Sequence, residues 1–273
     1  MRLFVFGLGY AARAIADAAG APLLATTRDG RDGTLRFDDE AGVRSGLAAS
    51  THVLSSVPPD DDGDPVLRLY GDVLGGRWLG YLSSTGVYGD AAGAWVDERA
   101  AADRGRRPLR NAADAAWLAT GAGVFRLPGI YGPGRSPLER VARGEAHRTG
   151  AAGQVFSRIH VADLASGVVA GFSAPPGAYN LADDVPAAQD EVVAYAAALL
   201  GLPPPPVIPV EQLSAAARGF HAENRRVANG KAKRVLGWRL RYPDYRAGLR
   251  ALSAMTSPTA ASAAPPPASG VQR

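Results

Sequence analysis

Gly7 and Gly9, one residue apart, with Ala12 three residues further on, form the first spacing in the chain that could do chemistry. They follow the apolar run Leu3-Phe4-Val5-Phe6 and precede a helix-like segment. Gly7 permits the tight strand-to-helix turn, and Gly9 lets the backbone approach a pyrophosphate. Ala12 is small enough for the helix to pack on a sheet, and free amides at the helix start, around Tyr10 and Ala11, face the anion. Arg28 closes the second apolar run, Ala25-Thr26-Thr27-Arg28, where an acid would hold the ribose diol of NAD. A guanidinium pairs bidentately with a 2′-phosphate, so NADP is preferred and NAD is the lesser expectation; a surface arginine is the plainer alternative. Ser55 and Ser56 end another run before Pro58-Pro59 and either offer hydroxyls to phosphate or ribose or only shape a turn. Asp60, Asp61, Asp62 and Asp64 lack metal-ligand spacing, so no metal is expected.

These residues need elements to hold them. Apolar runs bounded by turn residues predict strands near 2–6, 22–26, 52–55, 77–82 and 123–127, with helices near 10–19, 43–49, 64–74 and 107–120 between them. The alternation implies an α/β fold, a Rossmann-type doubly wound parallel sheet with ligands at the carboxyl ends of its strands. Pro133, Gly134 and Pro137 open a loop-plus-helix insertion near 133–150, and further elements are expected at 153–156, 161–172 and 177–181. The Rossmann domain is thus assigned to 1–182 and a small C-terminal substrate lobe to 183–255, with an Ala-rich helix at 187–200 before Pro203-Pro204-Pro205-Pro206. Residues 256–273, rich in Ser, Ala and Pro without periodicity, read as a disordered tail.

With 273 residues, 47% apolar and 21% charged, the chain reads as an ordinary globule able to bury a core. The absence of cysteine excludes disulfides, thiolate metal sites and a cysteine nucleophile. Gly7, Gly9, Arg13 and Asp17 interrupt the apolar N-terminus, so neither a cleaved leader nor a membrane span is expected, and a cytoplasmic location follows. The net charge of +4 is dispersed, which argues against nucleic acid; the dense run Arg104 to Arg110 reads as a solvated helix face. A small-molecule substrate is the expected partner, and monomer or homodimer remains open.

The segment Ser83-Ser84-Thr85-Gly86-Val87-Tyr88-Gly89 resembles the Ser-Ser-x-x-Val-Tyr-Gly element of extended short-chain dehydrogenases/reductases, the NAD-dependent epimerase/dehydratase family. Arg126-Leu127-Pro128-Gly129-Ile130-Tyr131-Gly132-Pro133 and Ile159-His160-Val161-Ala162-Asp163-Leu164 are similar to two further elements of that family, in the expected order. The resemblance covers about 1–250. It implies that Ser84, with Thr85 beside it, hydrogen-bonds a substrate oxygen. The family's Tyr-x-x-x-Lys is missing: aligned on Asp114, its positions hold Arg106 and Arg110. Either Arg110 still binds cofactor ribose or phosphate and Tyr88, Tyr131 or His160 supplies protons, or the fold keeps its cradle without the usual reaction. Phe156 stands where nucleotide-sugar enzymes of the family carry a diphosphate-binding Arg; Arg158, on the same strand face, is its expected substitute, with His160 beside the substrate. The resemblance implies an atypical oxidoreductase or epimerase/dehydratase working by hydride transfer on an alcohol or carbonyl, with a nucleotide sugar among the substrates considered. A non-catalytic NADP-dependent binding or regulatory protein is the alternative.

Overall fold

The computed structural model describes residues 1–256; the tail assigned to 256–273 lies, beyond Thr256, outside the described residues. From the N-terminus, β1 (Leu3–Phe6) leads through Gly9 into α1 (Tyr10–Ala19), which ends on Gly20 in a left-handed conformation. Then follow β2 (Leu23–Thr27), the short β3 (Leu35–Arg36), α2 (Glu40–Ala48), β4 (His52–Ser55) and α3 (Pro65–Tyr70). The Asp64 carboxylate caps α3 by accepting from the Val66 and Leu67 amides. Its neighbour Asp60 pairs with Arg68. Gly71 begins a separate 3-10 turn, which shortens the helix expected over 64–74.

Next come β5 (Trp78–Ser84), the two-residue β6 (Trp95–Val96), α4 (Pro108–Ala119), β7 (Gly123–Leu127), β8 (Gly129–Tyr131) and α5 (Pro137–Ala142). They are followed by β9 (Arg158–His160), α6 (Val161–Ala170), β10 (Gly177–Asn180) and α7 (Gln189–Leu199). The strand expected at 153–156 instead forms at Arg158–His160, beside β8. Phe156 makes only an isolated bridge to Ala187, and the Val155 amide is taken by the Asn224 side chain.

Seven parallel strands form the main sheet in the order β10-β7-β5-β4-β1-β2-β3. The order reverses between β1 and β4, which puts the ligand crevice beyond their carboxyl ends. Strand side chains alternate between two cores. Leu3, Val5, Leu54, Leu82 and Phe125 meet α1 and α6 on one face, while Phe4, Phe6, Val53, Tyr81 and Val124 meet α2, α3 and α4 on the other.

The chain then runs through α8 (Ala215–His221), β11 (Arg226–Val227), α9 (Gly230–Leu236) and α10 (Tyr245–Thr256). Helices α5, α7 and α10 share an apolar cluster of their own, including Leu138, Val141, Val192, Val193 and Leu249. The 133–150 insertion therefore packs with the C-terminal segment. That segment is not a separate block, however. Ala232 and Trp238 return to the α1/α6 core, and β11 pairs in parallel with β6. The Trp238 indole donates to the Asp163 carbonyl, and the Asp163 carboxylate accepts the Arg241 and Tyr242 amides at 2.7 and 2.9 Å. No helix among the described residues is long and apolar enough to cross a membrane.

Candidate functional site

The β1–α1 corner is built around Gly7, whose φ of 78° lies in the left-handed region that side chains disfavour. A methyl group there would meet the Ser56 hydroxyl and a Val57 methyl at 3.1 Å. The Ser56 hydroxyl donates to the Gly7 carbonyl, and Ser55 is fully buried with its hydroxyl toward the Val57 amide. Both serines thus hold the turn. Gly9 is different: a Cβ there meets nothing within 4 Å, and no side chain caps the helix it begins. The first-turn amides of α1, from Tyr10 and Ala11 onward, have no intrahelical acceptor and open onto that space. This is the fit a pyrophosphate requires. The Tyr10 hydroxyl donates to the Pro133 carbonyl at 3.0 Å, which closes one side of the corner. Arg28, exposed just past β2, has no acidic partner among the described residues.

Farther along the same edge of the sheet lies a cavity of about 390 Å³. Ser84 and Thr85 line it from the end of β5, and Arg106, Arg107, Arg110 and Asn111 from the start of α4. Ser157, Phe156, Phe220, Glu223 and Arg225 close the opposite side, and Arg135 reaches it from the loop after β8. The Ser84 oxygen accepts the Gly86 amide at 3.1 Å, which leaves its proton free for another acceptor. Glu223 lies between two cations, 3.6 Å from Arg106 and 2.8 Å from Arg225.

Of the residues singled out from the sequence, Ser84, Thr85 and Arg110 meet in this cleft, whereas Tyr88, Tyr131, Arg158 and His160 are not in its wall. The Tyr88 hydroxyl donates to Asn180 at 2.7 Å and accepts from buried Arg126, which also forms a two-point ion pair with Asp114. Burial raises the Tyr88 pKa, against the pull of the Arg126 charge. Burial works against the Arg126 charge too, but its bonds to Asp114 outweigh this and hold it ionised. Burial and nearby carboxylates raise Tyr131 further, and its hydroxyl has no partner.

His160 caps α6 by accepting the Ala162 amide, and burial, with the Arg241 charge, lowers its pKa to about 4. Arg158 is buried and directed at the Phe156 and Ala187 carbonyls and the Gln189 side chain. Its fork is therefore engaged by these groups, and Arg158 is not among the residues that line the cleft. Sequence reading placed Arg107 in a solvated run, noted Arg106 and Phe156 only as departures from family positions, and did not single out Phe220. For Arg107 the signal was the Arg104–Arg110 clustering.

No family model matches the chain. A functionally unknown conserved protein from Silicibacter pomeroyi overlays on it with a TM-score of 0.85 and 42% identity, covering 93% of this chain and 98% of that one. The two chains belong to one family. A human epimerase family protein, SDR39U1, solved with NADPH, has the same fold at a TM-score of 0.70 and 17% identity, over 93% of this chain and 99% of that one. Other neighbours of this fold are epimerase- and dehydratase-type proteins, some solved with NAD. A curated relative from a Streptomyces species, 3-diazoavenalumate denitrifying reductase, is 30% identical over 137 residues, which is 46% of this chain and 45% of that protein. The chain spans about half the length of the curated relatives it matches.

Proposed function

We propose that this protein is an NADP-binding oxidoreductase of the short-chain dehydrogenase/reductase type that acts on an alcohol or carbonyl group in the arginine-lined cleft. The observation that carries this reading is the placement of Ser84 and Thr85 in a cleft at the same sheet edge as the open Gly9 corner. Gly7, Gly9 and the first amides of α1 would hold the pyrophosphate, with Tyr10 beside it. Arg28 would meet the 2′-phosphate, and Arg110 would reach a ribose or phosphate oxygen. When bound, the dinucleotide supplies or accepts the hydride. Ser84 would donate its free proton in a hydrogen bond to the substrate oxygen and pass on a proton drawn from water in the cleft, because neither Tyr88 nor Tyr131 faces it. That two relatives of this fold or sequence are named an epimerase family protein with NADPH and a reductase supports the assignment.

A second reading has its own support. Arginines at 106 and 110 stand in place of an acidic tyrosine and its lysine, and a guanidinium with a pKa above ~12 is a poor proton donor. On that reading the protein binds NADP to present a cofactor-dependent surface and turns over nothing.

Fluorescence titration with NADPH and NADH tests the cofactor. NADPH is expected to bind more tightly, and Arg28→Ala to weaken it by about tenfold or more while leaving NADH nearly unchanged. Equal affinity for the two in the wild type removes the role of Arg28. Turnover on a carbonyl panel tests the reaction: Ser84→Ala is expected to lower kcat by about 10²-fold or more. Tight NADPH binding with no turnover on any carbonyl favours the second reading.

A further inference from the structure

The cleft wall carries more positive charge than the protein around it neutralises. Of the five arginines facing it, Arg106 and Arg225 share the one carboxylate, Glu223. Arg107 and Arg110 have no acidic partner among the described residues. Both stand at the first turn of α4, a helix of 12 residues whose N-terminal amides no side chain caps. The helix dipole adds to their field. Across the cavity Phe156 and Phe220 stack with ring centroids 4.6 Å apart and planes 12° apart. His221 packs edge-on against both rings, and Phe220, 50% exposed and lining the cavity, leaves part of its ring to whatever enters. Cations in excess select an anion, and exposed aromatic surface beside them selects a flat, unsaturated skeleton.

We propose that the cleft binds a planar, unsaturated organic anion, with its carboxylate or phosphate at the Arg107 end and its ring on the Phe156–Phe220 stack. This rests on the reading of the cleft as the substrate site and concerns binding, not the reaction.

Calorimetric titration of the full chain with phenyl phosphate, benzoate and the neutral benzyl alcohol tests it, with and without saturating NADP. One of the two anions is expected to bind about tenfold or more tightly than benzyl alcohol, and which one does assigns phosphate or carboxylate. Arg107→Gln should erase that preference. Phe220→Ala should weaken anion and alcohol alike and leave the preference in place. The proposal is overturned if neither anion binds, if benzyl alcohol matches them, if Arg107→Gln retains the preference, or if NADP abolishes binding, since the probe then occupies the cofactor corner. Failure of the wild type to bind NADPH would count against the proposed function alone.

Discussion

Asp183 is 1% exposed, and neither of its carboxylate oxygens has a side-chain hydrogen-bond partner among the described residues. Burial pushes its pKa up to about 8, against the opposing charge of Arg158 and the Val185 amide. The folded protein therefore keeps a proton that the unfolded chain releases near its ordinary carboxylate value, so stability falls as pH rises across that interval and levels off above about 8. His160 acts in the opposite sense. Held neutral down to about pH 4, it contributes stability that is full above its unfolded pKa and is lost as pH falls toward 4. Between about pH 4 and 6.5 the two slopes oppose each other; above that only the Asp183 decline remains. Thermal unfolding of wild type and Asp183→Asn from pH 5 to 8.5 should show the variant gaining on wild type as pH rises. Parallel curves would mean that Asp183 is already ionised at neutral pH.

At the level of the elements, the β1–α1 corner separates two glycines that look alike in the sequence. Gly7→Ala must hold a left-handed backbone and press on Ser56 and Val57, and is expected to cost about 1–2 kcal/mol of stability, read as a lower Tm. The Cβ of Gly9→Val meets no protein atom within 4 Å, so its Tm should stay close to wild type while NADPH affinity collapses. A Gly9→Val variant that still binds NADPH would show that the dinucleotide does not approach this turn. The buried Arg126–Asp114 pair, 3% and 1% exposed, ties β7 to α4. Asp114→Asn leaves the guanidinium without its counter-charge and should destabilise by about 3–5 kcal/mol, measurable by urea unfolding. The parallel sheet and its four crossing helices were legible because each strand is an apolar run closed by turn residues, and each helix buries one face. Strands β3, β6, β8 and β11, of two or three residues each, were not. So short a run carries no period, and only a distant partner makes it a strand.

Across the whole molecule, the two halves of the candidate site differ in how they are encoded. The Gly7, Gly9 and Arg28 corner is local in sequence, and its residue types announce their backbone roles. The cleft is not local: its wall joins residues 84–86, 106–111, 127–129, 135, 155–157 and 220–227, the last of these beside the short pairing of β11 with β6. Nothing in the spacing of Arg107 and Phe220 relates them, and Arg158 looked better placed than either until its fork proved to be engaged by Ala187 and Gln189. One asymmetry follows from the way Arg226 and Val227 are laid beside Trp95 and Val96. The Gly7–Gly9 corner is built from nearby strands with only Pro133 brought in from afar, whereas the cleft gains one wall from a late segment strapped down by a two-rung ladder. Damage to that fastening is expected to loosen one wall of the cleft while the glycine corner keeps its shape.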